Sequence, residues 1–266
     1  MALYEPHVYG RKFPYIFHIS NIEKSYHFAP HWHEAIEILA FTQGKCHVVI
    51  NTAQIEAHKG DIIVINAGGV HTIIPENECS YYCAILEPEI WHELGIDIKN
   101  THFKEKITNS ELMKMFENAG KEKSEKNEHY RQALLSMMCL IGIYLSRNCV
   151  DVSYKGPGST NLKKIQTVKK TIDYIEKNVC TPFSIEAAAK ELSFTKCYLC
   201  HVFKEITGMT IITYLNERRG DIAEKMIIGG DMQINEVALA CGFENFSYFS
   251  RTYKKYKGVA PSKTKG

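Results

Sequence analysis

Three histidines and one glutamate between positions 31 and 71 are the side chains best suited to bind an ion or exchange a proton: His31, His33, Glu37 and His71. In HWHEAIE the two histidines stand two apart on a segment that reads as extended, so both project to one side, with Glu37 further along. Imidazole and carboxylate together suit a divalent transition metal such as zinc, iron, manganese or nickel. The same groups would serve as the few convergent polar contacts of an apolar small-molecule pocket. Trp32, Phe41, Tyr81 and Tyr82 are candidates for its walls, and alternation alone leaves open which of them face inward. Aromatic walls suit a sugar or a related metabolite. The sequence offers no nucleophile–base triad and no phosphate-cradling loop, so no catalytic residue is assigned and no cofactor is required.

Strands must carry these groups. Between residues 31 and 87, β-rich runs (KCHVVI, QIEAH, DIIVI, YYCAIL and the run ending at Thr42) alternate with turn signals at Gln43-Gly44, Asn51-Thr52, Lys59-Gly60 and Ala67-Gly68-Gly69. That spacing predicts an all-β barrel or sandwich. From Ser110 the period becomes helical: Leu112, Met115 and Phe116 mark a short helix, and Leu134, Leu135, Met138, Ile141, Tyr144 and Leu145 a longer one. Residues 149–162 contain Gly156-Pro157-Gly158 and no apolar period, so they read as a linker. Beyond Leu162 the chain is helical, with breaks near Thr181-Pro182, Gly208, Gly229-Gly230 and Gly258.

The helical part contains one pattern twice. Phe183–Met209 and Ile234–Pro261 align at Ile185/Ile234, Ala188/Val237, Ala189/Ala238, Leu192/Cys241, Phe194/Phe243, Leu199/Phe249 and Phe203/Tyr253. Each copy has a short helix, a turn and a second helix that opens on a capping residue, the pattern of a helix-turn-helix whose second helix enters a major groove. In the first copy Ser184 and Thr195 are the expected caps, and Lys196, Cys197, Cys200, His201 and Lys204 lie outward. In the second, Asn235 and Asn245 are the expected caps, with Phe246, Ser247, Ser250, Arg251, Lys254 and Lys255 outward. Arg251 is the best base reader, because guanidinium matches guanine O6 and N7 bidentately. Lys254 and Lys255 suit phosphates, which position without reading sequence.

Charge is distributed in keeping with a duplex-DNA partner. From Asn161 onward 17 Lys/Arg face 11 Asp/Glu, a net of +6, whereas the first 160 residues carry 15 against 19, a net of −4. The nine cysteines are scattered and odd in number, and Cys197-x-x-Cys200 has no second pair at zinc-finger spacing. Residues 1–15 lack an apolar core and the run Ala133–Leu145 is too short to span a bilayer. Reduced thiols and a cytoplasmic, membrane-free location are expected.

AAAKELSF, YLCHVFKEITGM, YLNERRGDIAEKMI and EVALACGFENFSYFSRTYKKYKGVAPS closely resemble the DNA-binding domain of the AraC/XylS family of transcription regulators, over about residues 164–263. The resemblance implies seven helices, with two helix-turn-helix subdomains joined by a long helix near Thr210–Ile228. By position it makes Cys197, Cys200 and His201 the base readers of the first subdomain, and Phe246, Ser247, Ser250 and Arg251 those of the second. Three residues depart from the pattern. His201 replaces a usual Arg, Gly220 a large apolar residue of the linking helix, and Thr264 a closing aromatic. His31, His33, Glu37 and Gly44 resemble the first cupin motif, and Gly60–His71 the second, with Asn66 in place of its Pro and Pro75 of its closing Asn. In metal cupins the matching His, His, Glu and His positions ligate the ion. Helices that follow such a domain are implied to pair two subunits.

The resulting expectation is an α+β chain: a cupin-like ligand-sensing and dimerisation domain at 1–148, a linker at 149–162, and a double helix-turn-helix domain at 163–266. Its partners would be promoter DNA, a small-molecule effector and a second copy of itself. Competing readings are a metal-dependent cupin enzyme tethered to DNA and a DNA-binding protein with a purely structural dimerisation barrel.

Overall fold

The computed structural model describes residues 13–23 and 28–264, which form two compact units: the first runs to Gly156 but omits Ala29–His31, which group with the second, from Pro157 onward. The first unit holds β1 (Tyr15–Ile22), β2 (Ile36–Gln43), β3 (Lys45–Ile50), β4 (Ala53–His58), β5 (Asp61–Ile65), β6 (His71–Pro75), β7 (Cys79–Leu86) and β8 (Lys106–Thr108). They make two antiparallel sheets, ordered β1-β7-β2-β5-β8 and β4-β3-β6. The strands β1, β6 and β8 are absent from the sequence reading. The other five coincide with its β-rich runs.

Residue parity decides which core each side chain joins. Leu39, Phe41, Cys46, Val48, Ile63, Ile65, Ile73, Tyr81 and Cys83 fill the space between the sheets. The alternate residues Ile36, Ile38, Ala40, Ile62, Val64, Ala84 and Leu86 point the other way. There they meet α1 (Pro88–Glu93), α2 (Ser110–Glu125) and α3 (Tyr130–Asn148), through Trp91, Leu112, Phe116, Leu134, Met138 and Ile141. Being buried on both faces explains why β2 and β5 read as nearly continuous apolar runs. Asn109 caps α2 by accepting from Leu112 N–H at 2.8 Å.

The second unit is helical: α4 (Ser159–Asn178), α5 (Ile185–Glu191), α6 (Lys196–Thr207), α7 (Ile211–Gly229), α8 (Ile234–Ala240), α9 (Phe246–Lys257) and a short 3-10 turn at Pro261–Lys263. The stretch 149–162 is a free connection over only part of its length. Val150 bridges to Phe103, Asp151 N–H donates to His102 O at 2.7 Å, and α4 has already begun at Ser159.

Gly220 lies buried in the interior of α7, and a Cβ built on it would meet only Lys257 Cε at 3.9 Å. Lys257 covers the place of the large side chain expected there, with its ammonium bonded to Asp221 at 2.7 Å and Glu224 at 2.8 Å. Gly220→Ala should therefore stabilise the helical unit by about 0.5–1 kcal/mol, since alanine fits and restricts the unfolded chain. Urea unfolding followed by far-ultraviolet circular dichroism would show it; a lower midpoint would mean that α7 requires the glycine.

Candidate ligand site and DNA-reading surface

Glu37 shares its parity with Leu39 and Phe41, so its carboxylate enters the space between the sheets. His33 Nε2 lies 3.0 Å and His71 Nε2 3.1 Å from the same oxygen, Oε2, while the Cys83 thiol donates to Oε1 at 3.5 Å. All four residues are buried. His31, half-buried, brings a ring nitrogen within 4.8 Å of the ligand atoms of His33, Glu37 and His71. The four residues singled out from the sequence thus converge.

Each of these imidazoles uses Nδ1 on a backbone carbonyl: His31 on Ala29 at 3.0 Å, His33 on Ala35 at 3.0 Å and His71 on Gly69 at 2.9 Å. A ring whose Nδ1–H donates presents a lone pair at Nε2 when neutral. Facing a carboxylate oxygen at hydrogen-bond distance, that lone pair calls for a proton or a cation between the two atoms. The donor set and its backbone anchoring fit a divalent transition metal. Burial pushes the Glu37 carboxyl up, but the hydrogen bonds from His33 and His71 outweigh it and hold the group well below the usual carboxylate range. Burial pushes the Cys83 thiol well up, so it remains a donor.

The aromatic candidates separate. Phe41 packs between the sheets, its ring 5.2 Å from that of Tyr81, and Trp32 is half-buried beside the histidines in sequence. Tyr82 does not face the site. Its parity sends it to the helical side, where it stacks on Phe17 at 6.1 Å and lies against Gly120. The sequence reading missed His18, which β1 places opposite Cys83; burial lowers its pKa, and the Glu37 charge partly opposes that shift. Its only signal was the alternation of YIFHISNI.

The two helix-turn-helix units repeat each other bond for bond. Leu192 N–H donates to Ala188 O and Phe194 N–H to Ala189 O; Cys241 N–H donates to Val237 O and Phe243 N–H to Ala238 O. Ser184, Thr195 and Asn245 cap as expected, accepting from Ala187, Tyr198 and Tyr248 amides at 3.3, 3.2 and 2.9 Å. Asn235 does not cap α8. That helix starts at Ile234, and the Gln233 amide donates to Glu236 Oε2 at 2.9 Å. The turns differ: Gly242 (φ +81°) lies where a Cβ would meet Arg219 Nη2 at 2.8 Å, while the first turn puts Ser193 at φ +60°.

Leu199, Val202 and Phe203 bury one face of α6, leaving Lys196, Cys197, His201 and Lys204 exposed and Cys200 half-buried. Lys196 is ion-paired with Glu186, which engages its charge, and His201 Nε2 lies 3.7 Å from Glu205. Phe249, Thr252 and Tyr253 bury one face of α9, leaving Phe246, Ser247, Arg251, Lys254 and Lys255 exposed and Ser250 half-buried. Arg219 joins the halves of the helical unit: it donates to Val179 O at 2.8 Å and Thr181 O at 2.7 Å and lies over the Phe243 ring at 5.4 Å. Thr264 substitutes for an aromatic closure by bonding Tyr253 Oη at 2.8 Å.

A buried polar site in a two-sheet domain and a duplicated helix-turn-helix in a helical domain define a transcription regulator that joins ligand binding to DNA binding. The family model "AraC-like ligand binding domain" matches residues 13–137, and "Helix-turn-helix domain" matches residues 188–266. Similar proteins include the HTH-type transcriptional activator RhaR of Escherichia coli K12, 23% identical over 88% of this chain and 86% of that one. Another is the uncharacterized HTH-type transcriptional regulator YdeC of Bacillus subtilis 168, 21% identical over 87% and 84%. Among solved structures, ToxT of Vibrio cholerae O395 covers 94% of this chain and 96% of its own at a TM-score of 0.52 and 13% identity, a likeness of fold. The chain belongs to the AraC/XylS family of transcription regulators. The relatives are regulators and lend no support to a tethered enzyme. Among the described residues no helix is long and apolar enough to cross a membrane.

Proposed function

We propose that the space between the two sheets senses a small polar effector, a sugar or related metabolite, through His33, Glu37 and His71, with Phe41 as an apolar wall. The carrying observation is the buried carboxylate with two imidazoles on one oxygen, beside the apolar side chains that fill the space between the sheets. An effector shifts promoter occupancy only by binding two states of the chain unequally. In this reading α6 contributes Lys196, Cys197, Cys200 and His201 to the DNA surface, and α9 contributes Phe246, Ser247, Ser250, Arg251, Lys254 and Lys255. The protein works in the cytoplasm as a homodimer paired through α3, where Leu140 is 56% exposed. A monomer mass at sedimentation equilibrium, with and without DNA, would remove the dimer from the account.

A second reading is favoured by the Nδ1 anchors. His31, His33, Glu37 and His71 would hold a divalent transition metal, which would neutralise Glu37 and fix the segments that carry the histidines. Thermal-shift screening against sugars, small acids and divalent metals separates the readings. ToxT, a fold neighbour, has been solved with an unsaturated fatty acid bound, so fatty acids belong in the panel. A ligand at a hundred times its Kd should stabilise the protein by about 2.7 kcal/mol. That gain should vanish in His71→Ala. No shift with any class, or an equal shift in the variant, would refute a sensor at this site.

A further inference from the structure

A continuous set of hydrogen bonds runs from the buried histidines to the segment where the chain leaves the first unit. Gly68 N–H donates to His33 O at 2.8 Å, and His71 Nδ1 bonds to Gly69 O at 2.9 Å. Gly69 N–H donates in turn to Asn66 O at 3.0 Å. The loop between β5 and β6 is therefore tied to both histidines that hold Glu37.

The Asn66 side chain carries the connection onward. Its Oδ1 accepts from Phe103 N–H at 2.8 Å, and its Nδ2 donates to Phe103 O at 2.9 Å while lying 3.3 Å from His102 Nε2. One side-chain amide thus pairs with both backbone groups of a single residue, as a neighbouring strand would. A proline here could make neither bond. Residues 102–104 then hold the start of the connection: Asp151 N–H donates to His102 O at 2.7 Å and Lys104 N–H to Cys149 O at 2.9 Å. The His102 ring stacks on Tyr154 at 3.4 Å with the planes 7° apart. The first unit ends two residues later, at Gly156.

We propose that Asn66 is a relay between the His33–Glu37–His71 site and residues 150–154, the base of the interdomain connection. Filling the site adjusts the two histidines and hence loop 66–69, and Asn66 passes that change to 102–103 and on to 150–154. The biological meaning rests on the sensor reading above, but the coupling itself can be measured without effector or DNA.

The test is amide hydrogen exchange on the full chain, in a cycle of wild type, Glu37→Gln, Asn66→Ala and the double variant. Asn66→Ala should speed exchange at 102–104 and 150–154 about tenfold, through loss of both side-chain bonds to Phe103, and leave β2 and β7 protected. Glu37→Gln should speed exchange at 150–154 when Asn66 is present and add nothing when it is absent. Unchanged exchange at 150–154 in Glu37→Gln, or effects that add equally in both backgrounds, would overturn the relay. If Asn66→Ala fails to fold, Asn66→Asp replaces it in the cycle, keeping the acceptor for Phe103 N–H and losing the donor. A wild type that no effector stabilises would instead count against the sensor reading alone.

Discussion

Arg251→Ala should weaken binding to the selected operator by about 1–3 kcal/mol and abolish preference at one base pair, leaving other positions as they were. Arg251 projects from the exposed side of α9, whose other side is fixed in the core by Phe249 and Tyr253, both fully buried. The Asn245 cap sets where the helix begins, so side-chain positions 247, 250, 251 and 254 share one exposed stripe. A guanidinium held on a rigid helix loses little freedom when it pairs with guanine. Lys254→Ala is the contrast: it should weaken all sequences alike and reduce the salt dependence by about one phosphate contact. Competition titrations on duplexes varied one base pair at a time distinguish the two. Intact specificity in Arg251→Ala would transfer base reading to other residues.

Replacing Glu37 with alanine should destabilise the first domain by about 3–5 kcal/mol, a large share of a domain's stability. The substitution removes the shared acceptor of His33 Nε2, His71 Nε2 and the Cys83 thiol, all of them buried. Both tryptophans of the chain, Trp32 and Trp91, belong to this domain, so fluorescence during urea unfolding reports on it selectively. Circular dichroism adds the helical unit, whose midpoint should not move. Glu37→Gln retains an oxygen acceptor and should cost less. A midpoint unchanged in Glu37→Ala would show that the histidines are held by their Nδ1 anchors alone.

What could be read from the sequence follows the range of the interactions. The helix-turn-helix units were legible because caps, turns and apolar spacing are local: Ser184, Thr195 and Asn245 announce their helices within three residues. Asn235 misled because the reciprocal pairing of Gln233 with Glu236 starts α8 earlier. The His31, His33, Glu37 and His71 set was legible through its motif spacing, which survives as real convergence. Tyr82 was ambiguous because β7 is covered on both faces, so an aromatic fits either side and only register assigns one. His18 and Asn66 were opaque for the same reason: their partners lie 37 or more residues away across pairings that the sequence does not specify. Gly220 departs from the family pattern in sequence, and the side chain that covers it, Lys257, lies 37 positions later.

We propose that α6 and α9 enter successive major grooves of one duplex, with α9 the stronger anchor. Selection of full-length protein on random duplexes, followed by methylation interference on the winning sequence, tests it directly. Two clusters of major-groove guanine contacts roughly ten base pairs apart on one face of the helix are expected. Within the cluster assigned to α9, the guanine paired with Arg251 should lose its contact in Arg251→Ala, and the other cluster should persist. A single cluster per chain, or selection that yields no preferred sequence, would contradict it.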